Sequence, residues 1–381
     1  MERLLGRING FDSVIIFGAS DIGEIIHKRI SPYCGANGIA LCYADNSYKK
    51  WNDEKKIFRP AKASAKYPEA LWILATDRHL DTMYTQLTGI GIGENHIIRE
   101  LPDAVLQTKR ARDSEQRLTP KTELTQLEVH IAHSCNLNCR GCVAFAPLVK
   151  EPALADLDIF KRDMRRLSVL FQNKLGVFTL IGGEPLLNPQ INEFAECARR
   201  CFPDAQITIV TNGILLPKMP DQFWNACKEN KVTVSVTRYP INLDYNAMEK
   251  NAEAHGVEFE FFGIAVDKTS WNFAFDPLGK QTASESFANC CLANCTSLSN
   301  GRITTCPIIQ NADFFNAYFN TRMEVSSDDY IDIYAVESQQ EILDFICKPV
   351  PFCRYCDVKN RTYDNPWGLS KREIGEWIIE R

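Results

Sequence analysis

Three cysteines stand close together in the stretch HSCNLNCRGC, at positions 135, 139 and 142. Thiolates bind soft and borderline metals, so three of them on one short loop predict a metal site. A structural zinc ion takes four protein ligands in a closed tetrahedron. His133, two residues before Cys135, is the available fourth ligand for zinc. The loop therefore predicts either a zinc site completed by a histidine or a metal centre with one coordination position left open.

A second stretch with chemical meaning is IGGEP, residues 181–185, which ends an apolar run. Glycines permit close approach of a backbone, and the Glu184 carboxylate and the neighbouring carbonyls can accept hydrogen bonds from an ammonium group. Gly-Gly-x-Pro is also an ordinary turn sequence. The motif gains its meaning from the cysteine loop that lies one strand and one helix before it.

Taken together, the two motifs resemble those of radical S-adenosylmethionine (SAM) enzymes. The resemblance implies a [4Fe–4S] cluster on three cysteines, with the fourth iron left for the amino and carboxylate groups of SAM. The implied cluster ligands are Cys135, Cys139 and Cys142. The implied site for the SAM amino group is the backbone edge of Gly182, Gly183 and Glu184.

Further positions extend this resemblance. Asn212, in the TNG sequence after the third strand of the central segment, is expected to face the site, although Asn-Gly is also a plain turn signal. Ser235, with Thr237 two residues later, stands where the family binds ribose. The residue before the third cysteine is commonly aromatic in the family, but here it is Gly141. We expect Phe145 to take over that contact with adenine.

A second group of cysteines lies near the C-terminus. The spacing Cys-x9-Gly-x4-Cys, with Gly301 in a predicted hairpin turn, resembles the start of the auxiliary-cluster extensions called SPASM and twitch domains. The resemblance implies a second [4Fe–4S] cluster of the single-cluster twitch type. Its implied ligands are Cys291, Cys306, Cys353 and Cys356. Cys290 and Cys295 are alternatives to Cys291, and a closed four-thiolate zinc site is the alternative to a cluster.

The elements that position these motifs alternate between strand and helix. Strands are predicted at 127–133, 177–183, 206–212, 231–239 and 257–263. Helical patterns lie between them, at 158–172, 189–202, 221–229 and 244–255. Such alternation is typical of a parallel sheet whose site lies at the carboxyl ends of the strands. The prediction is a partial (β/α)6 barrel of TIM type.

The N-terminal segment repeats the alternation, with strands at 13–20, 39–46 and 70–76, and is Rossmann-like in outline. Its first turn has Gly18 and Gly23, but Ser20 replaces the middle glycine of the dinucleotide fingerprint. Asp45 stands near the place of a ribose-binding acid, so nucleotide binding and simple tight packing are both open. The predicted α/β domains are a Rossmann-like domain at 1–112, a linker at 113–126, the barrel at 127–275 and a twitch-like iron–sulfur domain at 276–381.

Composition limits the classes of partner and location. The chain has 381 residues, 15 cysteines and a formal net charge of −5, which gives no electrostatic reason to expect nucleic acid or a membrane surface. Apolar runs fall short of the roughly 20 residues that span a bilayer. With no secretion signal in MERLLGRING, reduced thiols and a cytoplasmic location are expected.

The expected function follows from the resemblance: reductive cleavage of SAM to a 5′-deoxyadenosyl radical, which abstracts hydrogen from a substrate. The implied auxiliary cluster suggests dehydrogenation or epimerisation. The N-terminal segment resembles the small Rossmann-like domains attached to bacterial sugar- and polysaccharide-modifying enzymes, which favours a sugar or cyclitol as substrate. The alternatives are a peptide maturase that forms a crosslink or epimer, and a redox sensor without substrate chemistry. A reductant such as flavodoxin or ferredoxin is expected as partner. Candidate general bases by position are His130, His133, Arg238, Tyr239 and Asp267.

Overall fold

A computed structural model describes residues 1–76, 79–262 and 268–379. The chain is α/β, as predicted, and it divides into two compact units. The first contains residues 1–114, and the second contains the described residues from 115 onward. Among the described residues, no helix is both long enough and apolar enough to cross a lipid bilayer.

The first unit is built on a parallel sheet with the strand order β3-β2-β1-β4-β5. Its strands are β1 (Ser13–Phe17), β2 (Ala40–Ala44), β3 (Ile57–Phe58), β4 (Leu71–Leu74) and β5 (Ile97–Ile98). Its helices are α1 (Glu2–Ile8), α2 (Asp21–Ala36), α3 (Pro60–Lys66), α4 (Leu80–Gly89) and α5 (Asp103–Leu118). This strand order is that of a Rossmann-like half, so the predicted architecture of this segment is confirmed.

The glycine turn after β1 is explained by packing within this unit. A Cβ at Gly23 would lie 2.1 Å from the carbonyl oxygen of Gly18, so α2 approaches the turn too closely for a side chain. Asp45 is already engaged, because its Oδ2 accepts from the Ala19 backbone N–H at 2.8 Å and from Lys50 Nζ at 3.2 Å. The structure therefore gives Asp45 a role in fixing the turn rather than the free carboxylate that a ribose site requires.

The segment predicted as a linker, 113–126, begins as helix, because α5 continues to Leu118. The helix α5 lacks a long apolar stripe, and Val105 is its buried anchor. An i,i+4 ion pair between Lys109 and Asp113 supports the helix despite its polar sequence. Charge pairing, which the apolar periodicity does not register, explains the difference.

The second unit contains the predicted alternation of parallel strands and helices. Its parallel strands are β6 (Gln126–Ala132), β7 (Val177–Gly182), β8 (Gln206–Thr211), β9 (Val232–Val236) and β10 (Phe259–Phe261). The helices between them are α6 (Leu157–Leu170), α7 (Ile191–Cys201), α8 (Asp221–Glu229) and α9 (Tyr245–His255). The apolar face of α7, for example, buries Phe194 and Ile191 in the main core. The TIM-type arrangement is confirmed.

Five parallel strands precede residues 263–267, which lie outside the described residues. On the other side of β6 the sheet is continued by a strand from the C-terminal segment. The remaining elements are β11 (Ser270–Asn272), α10 (Ala283–Asn289), β12 (Ser297–Ser299), β13 (Arg302–Thr304), α11 (Pro307–Phe319), β14 (Ile331–Asp332), α12 (Gln339–Phe345) and β15 (Thr362–Asn365). The full order is β10-β9-β8-β7-β6-β12-β13-β14.

The C-terminal segment is thus joined to the barrel sheet. Ser297 of β12 pairs with Glu128 of β6 in parallel, and β12 and β13 form a hairpin around Gly301 at φ +76°. That hairpin confirms the turn predicted at Gly301. A buried aromatic cluster packs the C-terminal segment on the first cysteine loop, where the Trp377 indole donates to the carbonyl of Cys142 at 2.9 Å. The two cysteine groups are therefore held by one continuous body.

Candidate active site

A cavity of about 300 Å³ opens at the carboxyl ends of β6 to β9. Its lining includes the three cysteines of the first loop and predicted SAM-binding residues from the ends of β7 and β8. These lining residues are Cys135, Cys139, Cys142, Gly182, Gly183 and Asn212. Parallel strands bring their carboxyl ends to one edge, which is why motifs separated by tens of residues meet here.

Backbone N–H groups are aimed at the loop sulfurs. Leu137 N–H donates to Cys135 Sγ at 3.4 Å, and Ala146 N–H bonds the sulfur of Cys142. Burial raises the pKa of Cys135 and of Cys142 to about 11, because the cavity wall disfavours an isolated thiolate. Such thiols ionise when a metal centre supplies the compensating charge. The donor set fits an iron–sulfur cluster.

Lys268 provides a positive charge at the same wall. Its side chain lines the cavity and lies within electrostatic range of Cys139 and Cys142. The ammonium nitrogen stands 5.5 Å from the centre of the Trp271 ring, in a cation–π contact. Burial raises the pKa of Cys139, which the Lys268 charge and a hydrogen bond from the Tyr239 hydroxyl oppose. The side chains of Lys268, Trp271 and Tyr239 were not among the residues predicted to bind SAM.

The two glycines after β7 are required by a close approach of backbone to backbone. A Cβ at Gly182 would lie 2.0 Å from the carbonyl oxygen of Ala132, and one at Gly183 would lie 2.2 Å from that of Ser134. Gly182 also has φ +150°. The Gly183 N–H donates to the Ala132 carbonyl at 2.7 Å, which fixes this strand edge against the cysteine loop. The prediction that glycine is needed here has a direct physical basis.

The Glu184 carboxylate is engaged by donors of the protein itself. It is fully buried and accepts three hydrogen bonds, from the Asn212 N–H at 2.8 Å, the Thr211 hydroxyl at 2.7 Å and the Leu186 N–H at 3.1 Å. Burial raises its pKa, against the effect of those three donors. Because its oxygens are already engaged, Glu184 ties the end of β8 to the glycine edge and leaves an ammonium group to the backbone.

Asn212 lies at the cavity as predicted and links the two motifs. Its Nδ2 donates to Asn136 Oδ1 at 2.7 Å and lies 3.7 Å from Cys135 Sγ. Its backbone N–H is bound by Glu184. The cysteine loop, the glycine edge and the end of β8 are therefore one hydrogen-bonded assembly.

Two residues predicted to contact SAM, Ser235 and Phe145, are engaged within the protein. The Ser235 hydroxyl donates to Glu260 Oε1 at 3.3 Å below the cavity, whereas Thr237, two residues later on the same face, lines it. Phe145 is fully buried among Phe275 and other rings of the C-terminal aromatic cluster. The residues beside Phe145 line the cavity, but its own ring points into the core because the chain turns there with φ +54°.

Gly141 stands where the family commonly has an aromatic residue, and the structure explains the difference. The residue has φ +63°, and a Cβ there would lie 2.2 Å from the carbonyl oxygen of Trp271. Trp271 itself lines the cavity. An aromatic surface is thus supplied from β11 instead of from the cysteine loop.

Comparison with known proteins identifies the family to which the cysteine loop and the glycine edge belong. Residues 129–247 match the model of the radical SAM superfamily. The chain contains a radical SAM domain. The cofactors of such a domain are a [4Fe–4S] cluster and SAM, so this assignment replaces the zinc interpretation of the first cysteine loop.

Curated relatives share only part of their length with this radical SAM chain. GTP 3′,8-cyclase of Trichodesmium erythraeum (strain IMS101) is 29% identical over 168 residues, covering 40% of this chain and 45% of that protein. GTP 3′,8-cyclase of Helicobacter pylori (strain ATCC 700392 / 26695) is 28% identical over 102 residues, covering 26% and 31%. The chain therefore spans less than half the length of these relatives.

Solved radical SAM structures show a distant likeness. BtrN in complex with AdoMet and 2-DOIA has a TM-score of 0.40 and 16% identity, covering 63% of this chain and 94% of that one. SuiB of Streptococcus suis bound to S-adenosylmethionine has a TM-score of 0.29 and 15% identity, covering 48% and 43%. At these scores the likenesses carry no argument about the activity of this chain.

The second group of thiols includes Cys290 beside the predicted members. The thiols of Cys290, Cys306, Cys353 and Cys356 all lie within electrostatic range of one another. Burial raises the pKa of Cys353 and Cys356 to about 12, and each neighbouring thiol adds to the shift. The Cys291 sulfur instead lies 3.9 Å from the Tyr363 hydroxyl. Cys290 therefore lies with Cys306, Cys353 and Cys356, and Cys291 stays a predicted ligand because it is also within electrostatic range of Cys356.

In neither cysteine group are the sulfurs close enough together to bind one metal ion as they stand. Among the residues that the structure describes, no three His, Cys, Asp or Glu side chains form a group that could hold one metal ion as they stand. The second group, comprising Cys290, Cys306, Cys353 and Cys356, is called the auxiliary thiol group below.

The cavity has polar groups that the sequence reasoning missed. Glu128, Ser270 and Cys295 line it together with His130, which was a candidate by position. Glu128 Oε1 and Ser270 Oγ are buried and have no hydrogen-bond partner among the residues that the structure describes, although Glu128 Oε1 lies 3.6 Å from His130 Nε2. A signal was present, since Glu128 and His130 are two residues apart on β6 and must share a face.

A short hydrogen-bonded row fixes the state of these histidines. Asn311 Nδ2 lies 3.3 Å from His130 Nδ1, and Asn311 Oδ1 lies 3.1 Å from His133 Nδ1. The amide donates to His130, so neutral His130 carries its proton on Nε2, toward Glu128. Burial, with a contribution from His130, lowers the pKa of His133 to about 4. Of the remaining base candidates, Tyr239 lines the cavity, and Asp267 is outside the described residues.

Substituting Gly183 by alanine tests the glycine edge. The new methyl would collide with the Ser134 carbonyl and displace the edge from the cysteine loop, so we expect SAM cleavage to fall by about tenfold or more. Release of 5′-deoxyadenosine under dithionite is the measurement. Gly35→Ala is the matched control, because a Cβ at Gly35 meets open space. Equal rates in the two variants would contradict the close approach.

Proposed function

We propose that this chain is a radical SAM enzyme that oxidises or epimerises a carbon of a small polyhydroxylated substrate, a sugar or cyclitol. One observation carries the proposal. The three cluster-loop thiols line the same cavity as a carboxylate, an imidazole and an unpartnered buried hydroxyl, those of Glu128, His130 and Ser270. A SAM-binding end and a polar substrate end thus share one chamber.

The cofactor end is assigned as follows. Cys135, Cys139 and Cys142 hold the [4Fe–4S] cluster, and the backbone of Gly182 and Gly183 receives the SAM amino group. When bound, the reduced cluster and SAM supply a 5′-deoxyadenosyl radical that removes a hydrogen atom from the substrate. The protein positions the reactants, and flavodoxin or ferredoxin is the proposed electron donor.

The substrate end suits hydroxyl groups. A buried carboxylate oxygen without a donor has an unmet need for one, and a substrate hydroxyl satisfies it. His130 Nε2 lies 3.6 Å from Glu128 Oε1, too far for a hydrogen bond, and Asn311 holds the imidazole in the tautomer with its proton on Nε2. Glu128 therefore accepts the hydroxyl proton as the carbon beside it loses hydrogen. Ser270 Oγ offers a further hydrogen bond within the same chamber.

The auxiliary thiol group is proposed to hold a second [4Fe–4S] cluster that takes an electron from the substrate in oxidation. Epimerisation instead requires return of a hydrogen atom. Cys295 lines the cavity, and burial, with the Glu128 charge next, raises its pKa to about 12, so its S–H stays protonated at neutral pH. This thiol is better placed as a hydrogen source than Cys290, which lies in the auxiliary group.

A stepwise assay tests the proposal. The anaerobically reconstituted chain is first given dithionite and SAM, and 5′-deoxyadenosine is measured. Sugars, cyclitols and their nucleotide conjugates are then screened for stimulation of that product, with a panel of peptides in parallel. Deuterium entering the product from D2O indicates epimerisation, and a carbonyl product indicates oxidation. Stimulation by a peptide alone would replace the sugar proposal with a peptide maturase.

Glu128→Gln separates substrate chemistry from SAM cleavage. The amide cannot take up a proton, so we expect turnover of the stimulating substrate to fall by about 10²-fold or more. Uncoupled 5′-deoxyadenosine release should stay near wild type because Glu128 is not a cluster ligand. Glu193→Gln, on the first turn of α7, serves as the control. Full turnover by the Glu128 variant would remove this residue from the mechanism.

A further inference from the structure

Arg361 is a buried cation beside the auxiliary thiol group. Only 7% of the residue is exposed. Its Nη1 donates to Cys290 Sγ at 3.2 Å and lies 3.8 Å from Cys291 Sγ. The guanidinium is held from behind, because Nε donates to the Phe273 carbonyl at 3.2 Å and the group stands 5.4 Å from the centre of the Phe273 ring. Its position is therefore fixed by three kinds of contact.

The second terminal nitrogen of this guanidinium is the informative atom. Arg361 Nη2 is buried and makes no geometrically complete hydrogen bond in the described part of the chain, although the guanidinium also lies beside the Cys356 thiol. Leaving a charged donor unsatisfied in the interior is costly, and Arg keeps its charge at every accessible pH. An anionic acceptor among the thiols of Cys290 and Cys356 fits this place. Inorganic sulfide of a cluster on the neighbouring thiols is another such acceptor.

We propose that Arg361 is a positioning residue of the auxiliary centre that donates hydrogen bonds to Cys290 and to cluster sulfide and thereby raises the reduction potential of that centre. The inference rests on the proposed second cluster. Reduction adds one negative charge, and a fixed buried cation stabilises the reduced form more than the oxidised form. Hydrogen bonds to the sulfurs act in the same direction.

This role of Arg361 would favour oxidation of the substrate over epimerisation. After loss of its hydrogen atom, the substrate gives up one proton to Glu128 and one electron to the auxiliary centre, which completes a two-electron oxidation of the carbinol to a carbonyl. A centre with a raised potential accepts that electron more readily. Arg361 thus favours oxidation over return of hydrogen from Cys295.

Potentiometric titration followed by EPR spectroscopy tests the inference on the full-length chain. Replacing all three loop cysteines, 135, 139 and 142, by alanine removes the other cluster, so that one signal and about four irons per chain remain. In this background Arg361→Gln is expected to shift the midpoint potential to a more negative value. Arg361→Lys keeps the positive charge but loses the paired N–H donors of the guanidinium, so it should give a smaller shift in the same direction. Arg200→Gln is the control, since its guanidinium is exposed on α7 in an ion pair with Glu196 and should leave the potential unchanged.

The outcomes separate this inference from the proposed function. Iron retained with an unchanged potential in both Arg361 variants would overturn the role of Arg361 and leave the second cluster in place. Zinc in place of iron before any change at Arg361 would overturn the second cluster itself. If Arg361→Gln loses its iron, the lysine variant decides: a lowered potential supports the inference, and an unchanged potential overturns it.

Discussion

Cys139→Ala is expected to abolish reductive cleavage of SAM. The cluster loop offers three thiolates, and two of them cannot retain a [4Fe–4S] cluster that already has one iron without a protein ligand. Release of 5′-deoxyadenosine should fall by about 10²-fold or more, and bound iron by about four per chain. The far-ultraviolet circular dichroism spectrum should change little, because the sulfur lies at a cavity wall and the sheet is built on other residues.

Cys227→Ala is the matched control for that loss. Cys227 lies in α8, is 2% exposed and packs in the main core. Its replacement should cost about 1 kcal/mol of stability and leave both iron content and SAM cleavage unchanged. Undiminished 5′-deoxyadenosine from Cys139→Ala, with wild-type iron, would contradict the assignment of the loop.

The double variant Cys353→Ala/Cys356→Ala is expected to lose the auxiliary centre alone. Iron should fall from about eight to about four per chain, because two of the four auxiliary thiols are gone. The loop at 135–142 is separate, so uncoupled SAM cleavage should persist while oxidation of the substrate fails. Metal analysis together with the 5′-deoxyadenosine assay measures both effects.

A control variant and a contradicting outcome belong to the Cys353/Cys356 experiment. Cys197→Ala/Cys201→Ala, which removes two core thiols of α7, controls for the loss of any pair of cysteines. Loss of zinc at constant iron in the Cys353/Cys356 variant would show a structural zinc site. The proposed electron acceptor, and with it the role of Arg361, would then be wrong.

The contacts that decide the chemistry were only partly visible in the sequence. Glu128 and His130 share a face of β6 by simple alternation, yet Glu128 was missed because no motif marks it. Cys290 and Cys291 are adjacent, so spacing alone could not tell which sulfur turns toward the auxiliary group. Arg361 lies 70 or more residues from both, and nothing local connects them. Glu184 was recognised, but its three internal donors were not foreseeable.

By itself the sequence determined the family, the α/β class and the membership of the cluster loop and glycine edge. Those features are local, because cysteine spacing within one loop and paired glycines at a strand end have their meaning within a few residues. Parallel strands then bring their ends together by geometry alone. The tertiary structure decided the rest: the joining of β12 to β6, the shared chamber of Glu128, Ser270 and Cys295, and the buried charge of Arg361. These depend on the direction of side chains from distant segments, which only packing of the whole core fixes.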